Sequence, residues 1–236
     1  MSEPVIRDAV IDDARSIALI HVRAWQVAYR GIGYSEDGKT RSREREGAAA
    51  PEIDTRYRKI LKHDLDFRRP DLALLKDFEA YRDSFLPGDD RPGGAQGAAY
   101  SDAQAYLALM DWFARGENLT DNLVPMDTYW VFYHDEMAGE LKVRHFLRGN
   151  LLRRGGHIGY SVKPKFRNRG FATQMLQFGL ERLRERGEFD ALITCNDTNA
   201  ASARVIEKCG GVRISDSRLQ GKVLRRYLIA IAPADS

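Results

Sequence analysis

The chain has 236 residues, of which 43% are hydrophobic and 30% are charged, so it can bury a full core as one domain or as one domain with an extension. Its formal charge of +3 is too small to indicate nucleic-acid binding, and its two cysteines are too few for a disulfide framework. No His or Cys lies at metal-ligand spacing, no apolar run is long enough to span a membrane, and the polar start is unlike a signal peptide. The sequence therefore predicts a soluble cytoplasmic protein without a bound metal.

Two segments near the start resemble the opening of a domain. Residues 5–32 read as a strand followed by a helix, and residues 64–86 can be read in the same way. The stretch between them is charged, contains glycine and is weakly hydrophobic, which is typical of a linker. Because the second opening runs directly into the rest of the chain, we predict an N-terminal extension over residues 1–56 and a main domain over residues 57–236.

A helix and a pair of strands follow the second opening. Residues 101–115 carry apolar side chains on one helical face, and Ser101 or Asp102 is suited to cap the helix start. Residues 128–148 alternate well enough for two strands joined by a turn near residues 135–139. Helical and strand-like patterns therefore both occur in this part of the chain.

Residues 157–183 place a strand, a basic loop and an amphipathic helix in immediate succession. Ile158, Tyr160 and Val162 alternate with small residues before Pro164 ends the run, and apolar residues recur every three or four positions after the loop. The loop contains two arginines and a glycine, and the amides of a helix start add partial positive charge. The arrangement predicts a turn that binds a nucleotide-like pyrophosphate, and the alternative interpretation is a solvated basic turn.

The same residues resemble the acyl-CoA-binding segment of the GNAT superfamily of N-acetyltransferases, closest to a branch of predicted acetyltransferases with a GGHIGYSV strand. The family pattern of Gln or Arg, two residues, Gly, one residue, and Gly or Ala is matched by Arg167, Gly170 and Ala172. The next segment resembles the family's following strand, its asparagine loop with Asn199, and its helix with a Glu-Lys-x-Gly signature that begins at Glu207. Two adjacent matches in the right order are more specific than either alone.

The resemblance implies an α/β (α+β) fold with a mixed, twisted central sheet and helices on both faces. The sheet would open into a V between the strands at residues 157–163 and 189–195, where backbone groups without partners bind the pantetheine arm of acetyl-CoA. The strand before the loop would pair with pantetheine, the loop and helix start would hold the pyrophosphate, and the asparagine would orient the arm. The residues implied to bind this acyl donor are Tyr160, Ser161, Val162, Arg167, Asn168, Arg169, Gly170, Phe171, Ala172, Thr173 and Asn199.

The implied reaction is direct transfer of the acetyl group from the thioester to an amine of a small molecule or peptide. The protein has to align the reactants, donate a hydrogen bond to the developing oxyanion and remove a proton from the amine. The backbone amide of Ser161 or Val162 is the expected oxyanion donor. Glu140 and His157 are the candidates for the base, with His145 third.

One position departs from the family pattern. Many members carry a tyrosine just before the Glu-Lys pair, as general acid for the leaving thiolate, and this chain has Ile206 there. Tyr160 is a weak substitute, although a CoA thiolate can also leave unprotonated. The departure leaves two functions open, an N-acetyltransferase, which we favour, and a non-catalytic acyl-CoA-binding module.

The acceptor site is expected between the helices at residues 71–86 and 101–115 and the C-terminal strands. A third function, nucleic-acid binding by the basic residues between 153 and 169, lacks the aromatic motifs of known readers. We therefore predict acetyl-CoA and an unidentified amine as partners, no nucleic acid and no membrane, and a homodimer is left open. Candidate acceptor contacts, which at such spacing are more often core residues, are Asp102, Asp111, Trp112, Tyr129 and Trp130.

Overall fold

A computed structural model of the protein describes residues 64–86, 100–120, 123–219 and 221–231. The predicted extension over residues 1–56 lies outside the described residues. No helix within the described ranges is long and apolar enough to cross a membrane. The elements in chain order are β1 (Leu65–Arg68), α1 (Leu75–Arg82), α2 (Ala103–Arg115), β2 (Met126–Tyr133), β3 (Glu136–Arg144), β4 (Ile158–Val162), α3 (Phe171–Glu185), β5 (Asp190–Asn196), α4 (Ala200–Lys208), β6 (Val212–Leu219) and β7 (Lys222–Ala230).

The described strands form two antiparallel sheets. Strands β1, β2, β3 and β4 lie side by side in that order in the first sheet, and the second sheet has the order β5, β7, β6. The sheets part between β4 and β5, which is where the sequence predicted the V-shaped opening. The predicted α/β fold class is confirmed, and every ladder between described strands is antiparallel.

Both faces of the first sheet are buried, since nearly every residue of β2 and β3 is buried, including polar residues such as Thr128 and Glu140. On one face Val131 and Leu141 pack with Met175 of α3. On the other face Trp130 stacks on Phe78 of α1 with ring centroids 4.9 Å apart, within a cluster that also includes α2. Helices therefore cover both faces of this sheet, as the resemblance implied.

Local signals set the predicted boundaries of α2 and of the β2–β3 hairpin. Asp102 caps α2 by accepting hydrogen bonds from the amides of Gln104 and Ala105, at 2.9 and 3.1 Å. The hairpin turn consists of His134 and Asp135, because pairing between β2 and β3 already begins at Glu136. The sequence thus located this turn correctly but made it too long.

A buried carboxylate ties the start of β2 to three other segments. Asp127, which is 3% exposed, accepts hydrogen bonds from Arg69 at 2.7 Å and Arg186 at 2.6 Å, and its Oδ2 lies 3.2 Å from His145 Nε2. Burial by itself raises the pKa of this carboxyl, but the bonds from His145, Arg69 and Arg186 outweigh burial and hold the pKa well below its ordinary value. The fold therefore stabilises the ionised form.

Replacing Asp127 with Asn should destabilise the fold by about 2 kcal/mol, because the two arginines lose their counter-charge but are partly exposed. The folded pKa lies below the unfolded value of about 3.9, so the stabilisation is complete above that value and is lost as the pH falls below it. Urea unfolding near neutral pH and again at about pH 3 should show the difference between variant and wild type shrinking in acid. Asp111→Asn, in an exposed ion pair, is the matched control, and an Asp127→Asn deficit that does not change with pH would contradict this account.

Candidate functional site

Strands β4 and β5 touch at one end and diverge at the other. At the closed end the His157 amide donates to the Leu192 carbonyl at 2.7 Å, and the Leu192 amide donates to Nδ1 of the His157 ring at 2.9 Å. Apart from a single bridge between Gly156 and Ile193, the described residues of the two strands form no ladder. The facing edges of β4 and β5 therefore border a cleft.

Gly156 permits the close approach at the closed end. Its φ is +62°, in the left-handed region, and a Cβ on it would lie 2.2 Å from the Leu192 carbonyl oxygen. Any other residue would have to displace the backbone of β5. The geometry of the cleft thus depends on a glycine just before β4.

His157 belongs to this junction rather than to a cavity. It is 7% exposed, and burial, with the charge of Arg144 as the second cause, lowers the pKa of its imidazole to about 4. The ring is therefore neutral, and its Nδ1 lone pair is already engaged by the Leu192 amide. The geometry disfavours His157 as the predicted base.

At the open end the cleft widens into a cavity of about 720 Å³, which is a volume suited to a small-molecule ligand. Three segments line it: the end of β4, the loop that leads into α3 with the first turn of that helix, and one face of α4. Ten of the eleven residues predicted to bind the acyl donor line this cavity, namely Tyr160, Ser161, Val162, Arg167, Asn168, Gly170, Phe171, Ala172, Thr173 and Asn199.

The loop presents the first turn of α3 to the cavity. Gly170, with φ +85°, ends the loop without a side-chain cap, and the first bond inside the helix runs from the Gln174 amide to the Gly170 carbonyl. The amides of Ala172 and Thr173 therefore have no acceptor within the helix, and both residues line the cavity. A Cβ on Gly170 would meet nothing within 4 Å, so the space beside the helix start is open.

Among the described residues that line the cavity, every charged side chain is basic. They are Arg167, Arg204 and Lys208. Arg167 also lies against β4, where its Nε is 3.4 Å from the carbonyl oxygen of Val162. Together with the partial positive charge at the start of α3, these side chains favour an anionic ligand such as a pyrophosphate.

Arg169 is the predicted residue that does not line the cavity. Its guanidinium lies over the rings of Tyr133, Phe166 and Phe171, at 5.3, 5.5 and 5.4 Å from their centroids. These cation-π contacts hold the charge against the aromatic side of the loop. The sequence predicted the same binding role for Arg167 and Arg169, which lie two residues apart. The tertiary contacts place only Arg167 at the cavity.

Sequence reasoning missed most of the α4 face that lines the cavity. Ala201, Arg204, Val205 and Lys208 lie there, spaced three, four and seven residues from the first. This spacing defines one face of a helix. The periodicity was a usable signal, but it does not reveal that the face borders a ligand cavity rather than bulk solvent.

A hydrogen bond crosses the cleft. The Tyr160 hydroxyl on β4 and Ser202 Oγ on α4 lie 2.9 Å apart, and Asn199 Oδ1 caps α4 by accepting from the Ser202 amide at 2.9 Å. Burial raises the pKa of Tyr160 well above its ordinary value despite the bond to Ser202, so the phenol stays protonated. All three residues line the cavity of about 720 Å³ and also a second cavity of about 280 Å³.

Glu140 lies one strand away from the cleft, opposite Ser161 in the β3–β4 ladder, and is 2% exposed. Its Oε1 accepts from the Tyr106 hydroxyl at 2.6 Å, and its Oε2 lies 3.4 Å from Lys142 Nζ. Ser161 Oγ in turn lies 2.6 Å from the Tyr81 hydroxyl. The predicted base thus sits in a buried polar network behind the cleft and lines neither cavity.

The predicted acceptor contacts lie elsewhere. Asp102 caps α2, Asp111 forms an exposed ion pair within that helix, and Trp130 is fully buried. Tyr129 and Trp112 pack in the two apolar clusters. None of these five residues lines either cavity, so the structure does not bring them together as a site.

A family model described as the acetyltransferase (GNAT) domain matches residues 65–212, which is more than half of the chain. The protein therefore belongs to the GNAT acetyltransferases, and the resemblance found in the sequence is confirmed. The prediction that the chain is an acetyltransferase is confirmed with it. A comparison with curated proteins found no match.

Several solved structures share the fold. A GnaT-family acetyltransferase from Bordetella pertussis is 19% identical, with a TM-score of 0.53 over 72% of this chain and 98% of that one. RimL, a ribosomal L7/L12 alpha-N-protein acetyltransferase solved with coenzyme A, is 16% identical, with a TM-score of 0.55 over 73% and 96%. RimJ from Mycobacterium smegmatis, in complex with a CoA disulfide, is 16% identical, with a TM-score of 0.51 over 70% and 81%. At these identities the likeness shows the fold.

Replacing Arg167 with Gln should weaken the binding of acetyl-CoA roughly tenfold, because a charge-assisted bond to phosphate is worth about 1.5 to 3 kcal/mol. Lys165→Gln is the matched control, since it removes the same charge from the same loop but the Lys165 ammonium pairs with Glu136 at 2.5 Å. Calorimetric titration of both variants at one salt concentration provides the comparison. An equal loss in both would mean that the overall charge of the loop, and not the Arg167 contact, determines affinity.

Proposed function

We propose that this acetyltransferase moves the acetyl group of acetyl-CoA to a primary amine of a small molecule or peptide by direct attack. The observation that carries the proposal is the cleft between β4 and β5, which opens into a cavity with a helix start and basic side chains at its wall. A polyanionic donor with a peptide-like arm has the chemistry that this cleft can bind. We also retain the division into an extension over residues 1–56 and an acetyltransferase domain over residues 57–236 as part of this proposal.

The backbone of β4 supports pairing with the pantetheine arm. The Lys163 amide donates to the Ala138 carbonyl, and bonding alternates along an antiparallel ladder. The backbone groups of Ser161 are therefore turned toward β3, and those of Tyr160 and Val162 toward the cleft. The pantetheine amides pair with these two residues, while the loop and the start of α3 hold the pyrophosphate.

The amine nitrogen attacks the thioester carbonyl carbon, and the carbonyl electrons move onto the oxygen. Of the two amides expected to donate to this oxyanion, the alternation favours Val162 over Ser161. Collapse of the intermediate breaks the carbon–sulfur bond and releases the CoA thiolate, and the amine loses a proton. Alignment of the two reactants supplies much of the rate enhancement, since the thioester is already activated.

We assign Glu140 as the base. Among the described residues, neither cavity is lined by a carboxylate or a histidine, so the proton has to leave through hydroxyl groups or water. The β3–β4 ladder places Glu140 beside Ser161, whose hydroxyl is hydrogen bonded to Tyr81. His145 is less suited, because its Nε2 faces the buried carboxylate of Asp127.

The assay that tests the proposed function measures thiol release from acetyl-CoA with a panel of primary amines. Wild type should release thiol, and Glu140→Gln should lower kcat about 100-fold while leaving acetyl-CoA affinity unchanged, because an amide cannot take up the proton. Glu136→Gln makes the same chemical change at a partly exposed position of β3 and is the control. Saturable acetyl-CoA binding without thiol release from any amine would instead favour a non-catalytic acyl-CoA-binding module.

The departure at Ile206 was the reason to consider that module. Ile206 is fully buried in the apolar core beneath α4 and offers no hydroxyl to the cleft. Tyr160 and Ser202, however, place two hydroxyls across the same cleft. We assign the Tyr160 hydroxyl as the hydrogen-bond donor that stabilises the leaving thiolate, since its raised pKa keeps the phenol protonated.

Replacing Tyr160 with Phe should lower kcat about tenfold to 100-fold, because a hydrogen bond to a charged group is worth about 1.5 to 3 kcal/mol. The deficit should be smaller with an acetyl thioester whose thiol has a lower pKa, because a better leaving group needs less stabilisation. Ser202→Ala, which removes the partner but keeps the phenol, should have the smaller effect. The same deficit for both thioesters would show that the Tyr160 hydroxyl only supports the structure of the cleft.

A further inference from the structure

The second cavity, of about 280 Å³, lies at the cleft and shares the Tyr160–Ser202 pair with the larger cavity. The segment before β4 and the side of β5 and β7 that carries Thr194 and Leu224 complete its wall. The two cavities therefore meet at this pair, and a group of the donor that lies there borders both of them. The smaller cavity adjoins the larger one and extends away from it, so an acceptor bound there does not have to displace a donor in the larger cavity.

The charged side chains that line the second cavity are Arg144 and Arg154. Burial lowers the pKa of Arg144 to about 10, and its Nη1 donates to the carbonyl of Gly156 at 2.9 Å. Arg154 is exposed. Within the described ranges no carboxylate lies at ion-pair distance from either guanidinium, and none lines the cavity.

A third guanidinium reinforces the positive charge beside this cavity. Arg226 on β7 lies opposite Thr194 in the β5–β7 ladder, and Thr194 lines the cavity. Burial lowers the pKa of Arg226, and the charge of Arg153 lowers it further. Its side chain donates a hydrogen bond to the hydroxyl of Ser215 at 2.9 Å. Because Ser215 is neutral, this bond does not compensate the positive charge of Arg226.

We infer that the second cavity receives the acceptor and selects an amine that also carries a carboxylate, an inference that rests on the proposed function. Arg144 is partly buried and has no carboxylate partner among the described residues, so a carboxylate on the acceptor compensates its charge by pairing with Arg144 and Arg154. Thr194 and Asn196 add neutral hydrogen-bonding groups to the same wall. A purely cationic acceptor, such as a diamine, is repelled by the same charges.

The volume of the cavity limits the acceptor. About 280 Å³ is near the lower end of the range for ligand sites, so an acceptor of amino-acid size fills it. This is a narrower substrate class than amines in general. The acidic residues that the sequence offered as acceptor contacts, Asp102 and Asp111, do not line this cavity.

Four amines of similar length test the inference: γ-aminobutyrate, its neutral amide, aminopropylphosphonate and the corresponding diamine. We expect kcat/KM for γ-aminobutyrate to exceed that for the amide at least tenfold and that for the diamine by more. Equal values for γ-aminobutyrate and its amide, or a preference for the diamine, would overturn the inference. A preference for the phosphonate would assign the site to a phosphate-like anion and overturn the choice of a carboxylate.

Variants of Arg154 test whether this residue causes the preference for a carboxylate. Arg154 is suited to the test because its side chain is exposed, so its replacement should leave the fold intact. Arg154→Gln should lower kcat/KM for γ-aminobutyrate about tenfold and leave the value for its amide unchanged, whereas Arg154→Lys should restore part of the preference. Arg115→Gln, on α2, is the control for loss of one positive charge. A uniform loss for all four amines in Arg154→Gln would mean that Arg154 does not select the acceptor.

A readout that does not depend on turnover separates this inference from the proposed function. Saturation-transfer NMR with coenzyme A present should show binding of γ-aminobutyrate and not of its amide, and Arg154→Gln should abolish the difference. If no amine releases thiol but this binding preference persists, acetyl transfer fails and the anion site stands. If thiol is released but neither kcat/KM nor binding distinguishes the two probes, acetyl transfer stands and the anion site fails.

Discussion

The site depends on one constraint, which is that β4 pairs with β3 along its length but with β5 only at its beginning. The reciprocal bonds between His157 and Leu192 join the two sheets at this point, and Gly156 lets the backbones come together there. Beyond them the two strands diverge, and the outward-facing backbone groups of β4 have no strand to pair with among the described residues. Since unpaired backbone groups are costly, this edge is suited to a ligand that can supply the missing bonds, as we propose for the pantetheine arm.

The electrostatics of the cleft follow from what surrounds this edge. Arg167, Arg204 and Lys208 line the larger cavity, and Arg144 and Arg154 line the smaller one, with no carboxylate among the described residues of either. The Tyr160–Ser202 bond lies at the boundary between them. Positive charge therefore lies on both sides of the proposed reaction centre. On one side it suits the phosphates of acetyl-CoA as we propose it binds, and on the other it suits the acidic acceptor that we infer.

The carboxylates of the domain are kept apart from both cavities. Glu140 is enclosed by a hydrogen bond from Tyr106 and a contact with Lys142, and Asp127 is held between two arginines and a histidine. Such buried networks destabilise the fold unless every polar group has a partner. Their hydrogen bonds also fix the position of each carboxylate. Glu140, the proposed base, therefore has a fixed position behind β4. We propose that the proton of the amine reaches it through hydroxyl groups or water.

The sequence alone determined the features that depend on neighbouring residues: the strand, loop and helix from residue 157 onward and the cap at Asp102. Local backbone geometry and helical period decide these, so a short window of sequence is enough. The family resemblance added the predicted donor-binding residues, and ten of those eleven line the larger cavity. Only the tertiary structure decided that Arg169 stacks on aromatic rings away from the cavity, that His157 joins two sheets, and that α4 supplies a wall. These depend on contacts between residues distant in the chain, and burial or stacking at such contacts overrides the chemistry that a side chain displays in the sequence.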